Sequence, residues 1–273
     1  MCTYALGTPN SSTSWGLRSI QLVQINSAYV PDAKFAFVHR SHSGRYGMVN
    51  SEEGYQNLHR FLFGDLEVTA DLVNIHLPGE PADEVVWQAE TKLSLRGLPI
   101  VMHEQLAAHH CPIQLERPRG DDTADRPVPL VTTFLSSRAF RPEATDTMRY
   151  MLQLRIISIR ERNGVFWFGD HIEQSADFDD VLVVDVQSVA GGEIPRAWAE
   201  WASNIRAPLR TYELAGEPLT DTDPDAGEWQ ATVNLPSPMG DFLGPEASVR
   251  MTVRSRRPAT TPRTEGRSRG RSS

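Results

Sequence analysis

Apolar positions in this chain fall mostly into short runs of strand length, interrupted once by a helical spacing. Ile20, Leu22, Val23 and Ile25 make a first run, and residues 34–39 (KFAFVH) a second. Both have the length and the β-favouring residues of buried strands. A polar, glycine-bearing stretch follows from Arg40 to Val49. Asn50 with Glu53 three residues on then forms a capping-box pattern ahead of Tyr55, Leu58, Phe61 and Leu62, which share one helical face. The spacing predicts a helix over 51–63, with Gly64 free to close it in the left-handed conformation.

Further along, the period changes. Residues 66–85 include the Pro/Gly/acidic stretch LPGEPAD, suited to a linker. Beyond it, β-branched and alternating runs dominate: VVWQAETKLSLR, LPIVMHEQL, VPLVTTFLS, MRYMLQLRIISIRER, GVFWF and DVLVVDV, then TYELAG, WQATVNLP and ASVRMTVRSR. The run from Tyr150 to Ile159 is apolar on both parities, as a strand buried on both faces or bulged midway would be. Trp198 and Trp201 read as a short helical or irregular connection. The expected architecture is mainly β: an irregular lead-in over 1–16, two strands and a helix over 17–65, a linker over 66–85, an antiparallel β-sandwich over 86–256, and a disordered basic tail over 257–273.

Composition narrows the function classes. The formal charge of −8 conceals an asymmetry: residues 254–273 hold seven Arg and one Glu, a net +6, which leaves −14 on the rest. An acidic body with its positive charge confined to one end argues against a nucleic-acid binder. No apolar run is long enough to cross a bilayer, and the first residues lack the basic start and apolar stretch of a secretory signal, so a cytoplasmic location is expected. Cys2 and Cys111 are the only cysteines, too few for a disulfide framework.

The chemistry-bearing signal is AFVHRSHSGRYGMVNSEEGYQNLHRFLFGD, in which His42 sits in a Ser-His-Ser-Gly loop between a buried strand and a helix. A serine hydrolase of the α/β type needs its general base on such a loop, beyond the carboxyl edge of its sheet. Over residues 22–65 the segment resembles the closing part of bacterial α/β-hydrolases of the lipase and esterase kind. WQAETKLSLRG and GDHIEQSADFDDVLVVDV resemble more loosely the β-rich accessory domain that follows. The resemblance implies the truncated end of an α/β-hydrolase sheet, with His42 as triad base and an ester or lipid-like small molecule as substrate. It also shows what is missing. No nucleophile elbow is identified: the one G-x-S-x-G, Gly266-Arg267-Ser268-Arg269-Gly270, lies in the Arg-rich tail with no apolar, strand-like run directly before it. Where the family tends to place its acid in a Ser-Asp-Gly-Leu-Val-like segment, this chain reads Ser19-Ile20-Gln21-Leu22-Val23. Asp32, in the turn between the two strands, is the fallback acid. The chain looks truncated at its start, so the nucleophile is expected from an upstream hydrolase polypeptide.

Other clusters carry less. His103, His109, His110 and Cys111 have zinc-binding side chains, but not at the spacing of structural zinc sites. Asp170, Asp177, Asp179 and Asp180 could offer oxygens to calcium at one end of a sandwich, or form a solvated acidic hairpin. No metal or cofactor is expected. The rival reading is a non-catalytic binding or interaction module, in which the sandwich is the working part. A hydrolase remnant further predicts exposed apolar strand edges over residues 20–26 and 34–39.

Overall fold

The computed structural model describes residues 36–38, 40, 47–79, 85–97, 101–109, 112–117, 126–136, 147–162, 171–187, 196–209, 211–212 and 216–256. They form ten strands and two helices: α1 (Glu52–Phe63), β1 (Leu66–Val73), β2 (Val85–Leu95), β3 (Val101–Gln105), β4 (Ile113–Leu115), β5 (Val128–Leu135), β6 (Thr147–Arg162), β7 (His171–Gln187), β8 (Arg196–Trp201), β9 (Trp229–Asn234), α2 (Ser237–Leu243) and β10 (Ser248–Ser255).

Two antiparallel sheets face each other. The smaller runs β5-β1-β10-β9 and the larger β3-β2-β6-β7-β8, with β4 paired to β2 beside β3. Alternation explains the filling between them. Ala70 and Leu72 of β1 and Val249 and Met251 of β10 meet Ala89, Leu93, Leu152, Leu154, Ile156 and Leu182 of the larger sheet in one buried cluster. Two polar contacts cross it: the Trp201 indole N–H donates to the Asn234 carbonyl at 2.7 Å, and the Thr91 hydroxyl to that of Leu130 at 3.2 Å.

The double-parity run on β6 has a physical cause. Its pairing with β7 shifts between Ile156 and Ile157, leaving Asp177 as the extra residue. Its carboxylate accepts the Ser158 backbone N–H at 2.9 Å, so the bulge leaves no orphaned amide there. Ile156 and Ile157, on opposite faces, are both fully buried. A second shift, at Ala70/Asp71 against β5, makes Leu130 the extra residue, and Leu130 and Val131 are both buried.

Four expectations need correction. Residues 66–73 are not linker but β1, a central strand; the Pro/Gly-rich sequence that suggested a connection begins only after it. Trp198 and Trp201 lie on β8, where Trp201 is drawn inward by its core contacts. TYELAG forms no strand in its described residues: Thr211 and Tyr212 turn back on the Pro208 carbonyl. Helix α1 is capped by Ser51 rather than Asn50, the Ser51 hydroxyl accepting the Gly54 N–H at 3.0 Å.

Gly64 also plays a different part from the one its helix-end position suggests. Its φ of −66° is open to any residue. Glycine is required by close approach: a Cβ there would lie 2.5 Å from the Arg60 carbonyl oxygen, 2.9 Å from Phe134 Cβ and 3.1 Å from the Leu135 oxygen. The helix passes into β1 within two residues while pressed on β5, and Asp65 N–H bonds to the Leu135 carbonyl at 3.0 Å. Gly64→Ala should therefore lower stability by about 1–3 kcal/mol, an overpacking cost read as a lower urea midpoint.

Candidate functional site

His42 and Asp32, the two expected catalytic residues, lie outside the described residues, as do residues 17–35, which contain the first expected strand. The chain on either side of His42 is described at Ala36–Val38, at Arg40 and from Gly47 onward, and it packs on the sandwich. The Glu104 N–H donates to the Phe37 carbonyl at 2.9 Å, and the Phe37 N–H to Nδ1 of His103 at 3.4 Å. The two rings meet edge-on, with centroids 5.8 Å apart. Arg40 reaches the first turn of α1 and pairs with both carboxylate oxygens of Glu53. That guanidinium holds the Glu53 carboxyl below the usual glutamate range.

His103 is 1% exposed on β3, and burial lowers its pKa from 6.5 to about 4, the Gln105 side chain opposing part of the shift. It is therefore a neutral imidazole at physiological pH. With Nδ1 accepting from Phe37, the proton belongs on Nε2, which is buried without a hydrogen-bond partner among the described residues. Phe37, Val38, Arg40, Glu53, Val101 and Glu104 enclose a hollow of about 60 Å³. Drug-sized ligands occupy clefts of roughly 300–1,000 Å³, so this hollow suits a water or two and not an ester substrate.

Helix α1 is oriented against the usual rule. Glu53, Asn57 and Arg60 sit half-buried toward the sandwich, while Tyr55, Leu58 and Leu62 are 58%, 56% and 58% exposed. Val49 before the helix and Phe63 at its end are exposed as well. Only Phe61 among the predicted apolar face reaches back, edge-on to Phe134 at 5.2 Å. Arg256 stacks over both rings, with its guanidinium carbon 5.3 Å from the Phe61 centroid and 4.6 Å from that of Phe134. It also donates to the Phe61 and Gly64 carbonyls at the helix end, at 2.5 and 3.2 Å. The helix is thus fixed by its C-terminus and polar side, and its apolar stripe faces solvent. An amphipathic surface helix normally does the reverse.

On the far face of the larger sheet, Arg149 and Asp185 pair across β6 and β7 at 7% side-chain exposure each. The contact is bidentate, Nε to Oδ1 at 2.7 Å and Nη2 to Oδ2 at 2.6 Å. The same guanidinium donates to the Leu209 and Tyr212 carbonyls, each at 2.7 Å, pinning the loop after β8 against the sheet. The two charged residues break the apolar runs MRYMLQL and VLVVDV, and that interruption is the sequence signal that could have singled them out.

Asp170, His110 and Cys111 of the metal-like clusters lie outside the described residues. His103 is buried in β3 and His109 lies on the turn Ala107–His109. Asp177 closes the bulge, Asp179 accepts from Gln153 at 2.8 Å, and Asp180 accepts the Val181 and Ser203 N–H groups. Among the described residues no group of three or more His, Cys, Asp or Glu is placed to hold a metal ion. No described helix is long and apolar enough to cross a membrane.

No protein-family model matches this chain, and neither a curated protein nor a solved structure matches it.

Proposed function

We propose that this chain is the C-terminal part of a lipase- or esterase-like serine hydrolase, supplying the general base His42 to a hydrolase core on another polypeptide and inactive alone. The observation that carries the reading is the outward apolar stripe of α1. Tyr55, Leu58 and Leu62 follow the spacing of a helix built to cover a layer, yet the sandwich holds the opposite side of that helix. A sheet of α/β-hydrolase type has the chemistry to meet that stripe, and the stripe lies within the segment resembling the closing part of such enzymes. The sandwich then acts as a rigid mount. It fixes α1 through Phe61, Gly64 and Arg256, and the chain before His42 through Phe37 and Arg40.

In the assembled enzyme, His42 would take the proton of a serine supplied by the partner and return it to the leaving alcohol of a carboxylic ester or lipid-like substrate. The one G-x-S-x-G, at Gly266-Arg267-Ser268-Arg269-Gly270, lies in the Arg-rich tail with no apolar run directly before it, so the isolated chain should give no turnover of a short-chain aryl ester and no labelling by a fluorophosphonate probe. Labelling that disappears in His42→Ala would mean that the chain holds its own nucleophile, and would overturn the reading.

A second reading, a non-catalytic interaction module, draws on the extent to which α1 and residues 36–38 are built into the sandwich. Photo-crosslinking from position 58 in the native cellular context separates the two. Capture of a different polypeptide bearing G-x-S-x-G between a strand and a helix supports the hydrolase assembly; capture of one without it supports the module.

A further inference from the structure

We propose that His103 is an acid-operated latch on residues 36–38: neutral, it holds the Phe37 amide at the edge of β3, and protonated it lets that segment go. This inference stands apart from the hydrolase reading, since it needs neither a nucleophile nor a partner.

Geometry makes the imidazole the acceptor. Two of the bonds that hold Phe37 join it to β3, its carbonyl taking the Glu104 N–H at 2.9 Å and its N–H meeting His103 Nδ1 at 3.4 Å. A backbone carbonyl in that place would hold the segment at every pH. An imidazole holds it only while Nδ1 has a free lone pair, because the protonated ring is a donor at both nitrogens. Protonation would set Nδ1–H against the Phe37 N–H and leave a charge in a site with 1% exposure. The ring already has one buried nitrogen, Nε2, without a hydrogen bond among the described residues, and the nearby Gln105 side chain offsets only part of the cost of charging it.

The surrounding charges do not alter this balance. β2 brings Lys92, paired with Glu104 of β3 at 3.1 Å. The docked segment brings Arg40, paired with Glu53 of α1. Arg60 is the other charged residue on the side of α1 turned toward the sandwich, and β5, which also packs against β3, carries no charged residue. Lys92 and Arg40 are each paired with a carboxylate, Arg60 adds a positive charge that also disfavours the protonated ring, and burial is the first cause of its neutrality. Letting go admits water to the imidazole and frees residues 36–38 from the β3 edge, a few residues before His42.

Hydrogen exchange of the full chain between pH 7 and pH 4 tests the latch, with each amide expressed as a protection factor to remove the intrinsic pH dependence of exchange. Protection at Phe37 should fall as pH drops below about 6.5, by up to about 150-fold at pH 4, the ratio set by the two protonation constants. Amides of β6 and β7 should stay protected throughout. His103→Gln keeps a side-chain acceptor that does not titrate, so it should flatten the Phe37 profile. Unchanged Phe37 protection in the native chain, equal loss at β6 and β7, or the same profile in His103→Gln would each overturn the proposal. Nitrogen-15 spectra of the native imidazole test it without any variant. An Nε2–H tautomer at neutral pH that titrates near 4 supports the latch, and an Nδ1–H tautomer overturns it.

Discussion

Replacing Arg149 with leucine is expected to lower stability by about 3–5 kcal/mol, the usual consequence of removing one partner from a buried, hydrogen-bonded ion pair. The substitution would leave the Asp185 carboxylate charged at 7% side-chain exposure and remove the donors that hold the Leu209 and Tyr212 carbonyls. A buried carboxylate that has lost its counter-charge and donors costs free energy. The double substitution Arg149→Leu with Asp185→Leu should lose less than the single one, because no buried charge remains. It should not recover fully, since the two loop carbonyls stay without their donor. Urea unfolding checks both variants, with a lower midpoint and an unchanged slope as the expected signature. A single variant within about 0.5 kcal/mol of the native chain would show that the loop and pair are solvated.

Much of the sheet structure was legible from the sequence, and the reason is visible on β2, β6 and β10. Their apolar residues alternate because one face of each packs on a shared core, and period two has no other simple source. The bulge opposite Ile156 and Ile157 was legible for the same reason, as an alternation that changes parity partway. The strand Leu66–Val73 was missed although LEVTADLV has β-favouring residues. Its Glu67 and Asp71 face the outer side of the smaller sheet, Asp71 lying 3.5 Å from Arg250, and these acidic positions read as part of the acidic connection that follows. Trp201 was misplaced because an indole suits a strand as well as a turn. What settles it is the Asn234 carbonyl, 33 residues away in sequence.

The candidate site was less legible, and α1 shows why. Periodicity correctly put Tyr55, Leu58 and Leu62 on one face, with Phe61 at its margin, but period alone does not say which face the rest of the chain covers. Here it covers the polar one, through Glu53, Asn57, Arg60 and the tight approach at Gly64. The same limit applies to His103. In sequence it reads as one of four zinc-type side chains, whereas its environment comes from residues up to 66 positions away that fold over it.

Burial of His103 makes stability depend on pH, with a sign opposite to that of a histidine held by a carboxylate. The imidazole has its ordinary value near 6.5 in the unfolded chain and about 4 in the folded one. Between these values the unfolded chain binds a proton that the folded chain does not, so lowering the pH favours unfolding. The contribution is complete above about pH 6.5, declines as pH falls, and levels off below about 4, for a total loss of about 3 kcal/mol. Carboxylates act lower on the scale. Glu53 and Glu228 are held below their ordinary 4.5 by Arg40 and Arg254, so their contribution is present above 4.5 and disappears only as pH drops through their lowered values. The interval from 4.5 to 6.5 is therefore where the His103 contribution changes most. Unfolding midpoints measured at half-unit steps across it should decline for the native chain and stay nearly level for His103→Gln, whose amide carries no proton to exchange. Parallel curves for the two chains would place the pH dependence on other groups and remove the imidazole from the account of acid stability. A native curve that levels off early, while Phe37 protection still falls, would show that undocking residues 36–38 relieves the buried charge before the sandwich itself unfolds.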